Sequence, residues 1–113
     1  MLICKSSVRF KRFTPALMTL LNALCATDRS KVDGQPDDLV ITSANDSTHA
    51  ENSRHYIDEA LDVRSKTFTS ESGKAAFRFN LERFLGPKFR VLHEGMGTPN
   101  EHFHIQPRKG TIL

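Results

Sequence analysis

The sequence predicts an α+β domain in which two helices pack on a small, mainly antiparallel sheet. Three observations carry this expectation. Leu17, Leu20, Leu21 and Leu24 repeat at i, i+3, i+4, i+7, and Phe77, Leu81, Phe84 and Leu85 at i, i+4, i+7, i+8, the pattern of helices with one apolar stripe. The short runs "DLVITS", "FRVLHE" and "EHFHIQ" are apolar or alternate with period two and are bounded by turn residues, as strands are. The 113 residues suffice for one hydrophobic core and are too few for two, so a single domain over residues 1–113 is expected.

The elements follow in order. Thr14 and Pro15 form an N-cap followed by proline at the first helical position, and open the first helix over "PALMTLLNALCA". "TDRSKVDGQPDD" reads as a loop because of its polarity, Gly34 and Pro36. "DLVITS" is then a buried strand. The stretch ending in "ALDVR" is extended, with Ala60, Asp62 and Arg64 on one face and Leu61 and Val63 on the other. "TFTSES" leads into the second helix, which Gly86 and Pro87 terminate. "FRVLHE" and "EHFHIQ" form a hairpin around "GMGTPN".

Composition sets broad limits. With 38% hydrophobic and 26% charged residues the chain is not of the disordered class. A net charge of +3 favours an anionic partner, nucleic acid or acidic wall polymer, without selecting one. Cys4 and Cys25 have no CxxC partner, so neither a zinc knuckle nor a disulfide framework is indicated, and two buried, reduced thiols are expected. No apolar run approaches the ~20 residues of a membrane span. Lys5, Arg9, Lys11 and Arg12 before "PALMTLLNALCA" imitate a signal peptide. The helical stripe, the interruptions at Thr19 and Asn22 and the lack of an A-x-A site favour a retained core helix.

Four of the five histidines fall in two places, "HAENSRHYIDEALDVR" and "EHFHIQ". Zinc takes imidazole and carboxylate ligands, and His55, Asp62 and His104 are a set of that kind. Strand alternation puts His102 and His104 on one face, so one can ligate while the other bonds an oxyanion or water. On spacing alone, H-x6-D and HxH recur by chance, and surface histidines are the better explanation.

The surrounding text adds a resemblance. "SRHYIDEALDV" resembles the SxHxxGxAxD signature of the zinc D-Ala-D-Ala carboxypeptidases and L-alanyl-D-glutamate endopeptidases, the LAS metallopeptidases, whose third ligand comes from a later strand, often within an HxH such as "HFH" here. "HAENSRHY" also resembles the zinc-site segment of the hedgehog signalling domain. The likeness spans roughly residues 39–106. It implies a hedgehog/D-Ala-D-Ala peptidase-like fold, zinc on His55, Asp62 and His104, Ser53 at the serine before the first ligand, His49 at an upstream site histidine and His102 at the first position of the HxH. Asp58 stands where the family has glycine, which puts that loop's geometry in question.

Peptide hydrolysis at zinc needs a group that takes a proton from the metal-activated water and returns it to the leaving amine. Two glutamates compete. Glu101 stands three before His104, as the acid does in ExxH or DxxH relatives; Glu94 ends "FRVLHE", as in hedgehog-like and short phage-type relatives. Alternation turns a strand residue at 101 away from His102 and His104, which favours Glu94. His93 has no counterpart and is read as structural or surface. Arg54 and Arg64 are candidates to face a substrate carboxylate.

The resemblance implies a monomeric zinc metallopeptidase that hydrolyses peptidoglycan stem peptides at a D-amino-acid bond, carboxypeptidase or endopeptidase undecided. Its compact form resembles phage- or prophage-encoded members, made in the host cytoplasm and meeting the wall after release. The alternative is a non-catalytic, hedgehog-like zinc-binding interaction module. A nucleic-acid-binding role for "KSSVRFKR" lacks any motif.

Overall fold

The computed structural model describes residues 1–10, 13–44 and 60–108. It is an α+β fold: a five-stranded mixed sheet with two helices packed on it. The strands are β1 (Leu2–Cys4), β2 (Leu39–Ser43), β3 (Leu61–Arg64), β4 (Phe89–Glu94) and β5 (His102–Pro107), and the helices are α1 (Pro15–Arg29) and α2 (Glu71–Leu85). Spatial order in the sheet is β1-β2-β3-β5-β4. β1 pairs with β2 in parallel, as a strand–helix–strand crossover requires, and the three other ladders are antiparallel.

Local chemistry sets the helix ends. Thr14 Oγ1 accepts from the Leu17 amide at 3.1 Å and Ser70 Oγ from the Gly73 amide at 3.0 Å, so each helix has one of its unpaired N-terminal donors satisfied. Gly86 ends α2 with φ of +81°, a conformation that costs glycine nothing, and its amide returns to the Glu82 carbonyl. α1 runs three residues further than the sequence suggests, because Thr27 is buried and its Oγ1 bonds back to the Ala23 carbonyl at 2.7 Å.

The helices pack against each other and against one sheet face. Leu17, Leu20 and Leu24 of α1 and Phe77 and Leu81 of α2 are almost wholly buried with Leu39, Ile41, Leu61, Val63, Val91, Phe103 and Ile105. Phe68, Phe77 and Phe103 form a cluster with centroids 5.0–5.8 Å apart. Two expected core residues are less committed: Leu21 is half-buried and Phe84 is exposed, at the margin of its helix stripe. Both expected buried thiols also stand nearer the surface, with Cys4 exposed and Cys25 half-buried. Cys4 lies at the end of an edge strand, where only one neighbour covers it.

The sequence hides β1, since three residues are too few to display a period. Among the described residues no helix is long and apolar enough to cross a membrane.

Candidate functional site

The antiparallel register of β3, β5 and β4 writes a polar row on the sheet face opposite the helices. Asp62 lies directly across from His104 and Arg64 from His102; on the other side Glu94 is across from His102 and Leu92 from His104. Burial of the alternate residues fixes this register. Leu61, Val63, Phe103 and Ile105 are all fully buried, and a slip of one residue would drive Asp62 and both histidines into the apolar core.

Asp62 Oδ1 stands 2.9 Å from His104 Nδ1, and Gln106 Oε1 stands 2.7 Å from His104 Nε2. With Gln106 in this orientation both ring nitrogens face oxygen acceptors, the arrangement of an imidazolium. Desolvation alone would lower the His104 pKa, but the bonds to Asp62 and Gln106 and the charge of Asp62 outweigh it and raise it. His102 has a related setting. Its Nδ1 donates to the Asn100 carbonyl at 2.7 Å, so Nε2, 3.0 Å from Glu94 Oε1 and 3.8 Å from Asp62 Oδ1, is the atom open to proton exchange. Its pKa too is raised: burial opposes, but the Asn100 carbonyl and the charges of Asp62 and Glu94 prevail.

These groups fit a divalent cation by their chemistry. A metal would replace the proton held between Asp62 and His104 Nδ1, leaving Nε2–H to donate to Gln106 and fix the tautomer. A second observation lies on β2. Ser43, which the register pairs with Asp62 across an irregular step, has a buried hydroxyl with no partner among the described residues. An unsatisfied group of that kind costs about 1–3 kcal/mol. Among the described residues no three His, Cys, Asp or Glu side chains form a metal-holding group by themselves. His55, the third expected ligand, lies outside the described residues, as do His49, Ser53, Arg54 and Asp58.

The two glutamates part company. Glu94 is half-exposed on the polar row beside His102. Glu101 faces the helix side, where Lys74 Nζ at 2.9 Å, Ser65 Oγ at 2.7 Å and His93 Nε2 at 2.7 Å surround its carboxylate. Burial would raise the Glu101 pKa, yet the bonds from Lys74, Ser65 and His93 lower it from 4.5 to about 2. A carboxylate held so firmly in its ionised form is a poor proton carrier at neutral pH. Ser65, His93 and Glu101 form no catalytic relay either, because Ser65 and Glu101 both converge on Nε2 of His93, whose ring stacks on Phe103 at 4.6 Å.

Gln106, Ser65 and Lys74 are not among the candidate residues, whereas Glu101 is one, as the base. The alternation of "HFHIQ" carried the signal for Gln106, two positions beyond His104 on the same face. No local pattern links Ser65, Lys74, His93 and Glu101, which meet only through packing. The chain matches no protein-family model, no curated protein and no solved structure.

Proposed function

We propose that the protein is a zinc-dependent peptidase that hydrolyses peptidoglycan stem peptides at a D-amino-acid bond. The observation that carries this reading is the cross-strand row Asp62–His104 and Glu94–His102: two metal-type donors in contact at 2.9 Å, beside a carboxylate and imidazole 3.0 Å apart. The family resemblance supplies the substrate class and the third ligand, His55. When bound, zinc supplies Lewis acidity toward the scissile carbonyl and lowers the pKa of water.

The residues of the chain then divide the remaining work. Asp62 and His104 hold the metal, and Gln106 keeps the His104 tautomer with Nδ1 free for it. Glu94 accepts the proton of the attacking water and returns it to the leaving amine. His102, with Nδ1 committed to Asn100, presents its Nε2–H to the developing oxyanion and shares its proton with Glu94. Release to the cell wall, as in phage-type relatives, belongs to the same reading.

The test combines metal content with hydrolysis. Purified protein is expected to bind about one zinc per chain, lost in Asp62→Ala and His104→Ala, and to cleave a stem pentapeptide followed by mass spectrometry. Glu94→Gln should keep the zinc and lose about 10²-fold or more in kcat. Folded protein that takes up no zinc overturns the reading, and zinc binding without hydrolysis of any stem peptide reduces it to a zinc-binding interaction module.

A further inference from the structure

The segment that joins β1 to α1 is set apart by its charge. Residues 1–27 contain Lys5, Arg9, Lys11 and Arg12 and no acid, whereas residues 28–113 hold twelve basic and thirteen acidic residues. The net charge of +3 therefore originates at the connection between the first strand and the first helix. Lys11 and Arg12 lie outside the described residues and enter here by sequence alone.

The same segment carries apolar side chains that the fold holds outside its core. Val8 is buried, and Phe10 packs half-buried against the core cluster. Phe13 stacks on Phe10 with ring centroids 5.4 Å apart, yet is itself 63% exposed. Arg9 Nη1 donates to the Ser6 and Val8 carbonyls at 2.7 and 2.9 Å, which ties down the turn after β1. Phe13 immediately precedes the N-cap Thr14, and Met18, in the first turns of α1, is 43% exposed. These are the two positions of a hydrophobic staple, so Phe13 and Met18 lie on one side of the helix start. A staple accounts for an apolar pair at this point. It does not account for four cations and no anion in the stretch that leads to it.

An acidic corner lies at the other end of α1. The Met1 ammonium bonds to Asp28 at 3.0 Å and stands 3.6 Å from Asp38, and Lys31 pairs with Asp37. Asp28 is ten residues beyond Met18 on the helix, roughly 15 Å. That is about twice the ~8 Å Debye length at physiological salt, so these acids leave the field of the basic end in place.

The exposed side chains suit a lipid surface better than a nucleic acid. Met18 and the exposed Pro15 have no π face on which a base would stack, and one face of Phe13 is already taken by Phe10. At a bilayer surface such side chains sink to the boundary of headgroups and acyl chains while lysine and arginine reach the phosphates.

We infer that Phe13, Pro15 and Met18, flanked by Lys5 and Arg9, form a peripheral docking surface for an anionic lipid bilayer, on which the protein lies without crossing it. The inference goes beyond the peptidase reading and depends on neither the metal nor the polar row.

The experiment exploits the lack of tryptophan in the chain: Phe13→Trp places a single such fluorophore on the surface in question. The full-length variant is mixed with vesicles of phosphatidylglycerol or of phosphatidylcholine, and emission and co-flotation are read together. Phosphatidylglycerol is expected to shift the emission to the blue and to bind at least about 20-fold more tightly, since each cation near an anionic surface contributes roughly fivefold. Salt at about 1 M, which shortens the Debye length to ~3 Å, should release most of the protein. Phe13→Ser should weaken binding about tenfold, and so, independently of any effect on the helix start, should Lys5→Gln combined with Lys11→Gln. Phe79→Trp, at a position 65% exposed on α2, should show no blue shift. Equal binding to the two lipids, no shift of Phe13→Trp, or an equal shift of Phe79→Trp overturns the inference. So does a single-stranded oligothymidylate that quenches Phe13→Trp when vesicles leave it unchanged, which would make the surface a nucleic-acid one.

Discussion

Replacing Glu101 by glutamine tests the division of labour between the two glutamates. Its carboxylate is only 7% exposed and accepts from Lys74, Ser65 and His93, so little solvent screens these interactions. The gap between 4.5 and about 2 in its pKa corresponds to about 3 kcal/mol of native-state stabilisation of the charged form. Glutamine keeps the shape and the bond from Ser65, but loses the charge that Lys74 and His93 face. The expected loss at pH 7 is therefore about 2–3 kcal/mol, which lowers a urea midpoint by about 2 M at the ~1–1.5 kcal/mol/M slope of a small domain. The sign with pH follows from a depressed native pKa: the stabilisation is fully present above 4.5 and is lost as pH falls toward about 2. Urea titrations at pH 7 and pH 2.5 should thus show a large difference between wild type and Glu101→Gln at the first and about a quarter of it at the second, where a carboxyl with a native pKa of about 2 is still largely ionised. A variant as stable as wild type at pH 7, or a difference as large at pH 2.5 as at pH 7, would refute this account. If the folded variant instead lost hydrolysis while keeping its stability, Glu101 rather than Glu94 would be the proton carrier.

Two other outcomes follow from the same contacts. In chelator-treated protein, the raised His104 pKa means that the Asp62–His104 bond contributes stability below about 6.5 that disappears as pH rises through the native value; Asp62→Asn should flatten the fall in urea midpoint between pH 5.5 and pH 9, and an unchanged slope would show that the pair carries no such coupling. Gly73→Ala should destabilise by about 1–3 kcal/mol although alanine is the better helix former, because its Cβ would meet the Asp33 carbonyl oxygen at 2.8 Å and the Gly34 Cα at 3.1 Å; a gain in thermal stability would mean that the loop at Asp33 yields freely.

The sequence by itself determined the elements whose period is long enough to read. Thr14–Pro15, the leucine stripe, Gly86 and the "GMGTPN" turn each specify a local geometry, and together they determine two helices and a hairpin. Alternation also determined that Asp62 and Arg64 share a face, that His102 and His104 share one, and that Glu101 does not join them. A period-two pattern cannot name the neighbouring strand. Only the sheet order put Asp62 opposite His104 and Glu94 opposite His102, because that pairing depends on burying Leu61, Val63, Phe103 and Ile105 together under the helices. The same holds for β1, which three residues cannot announce and which exists as a strand only by pairing with β2. Tertiary structure alone brought Ser65, Lys74, His93 and Glu101 into one buried network, since contacts between residues of different elements are set by packing and leave no local periodicity.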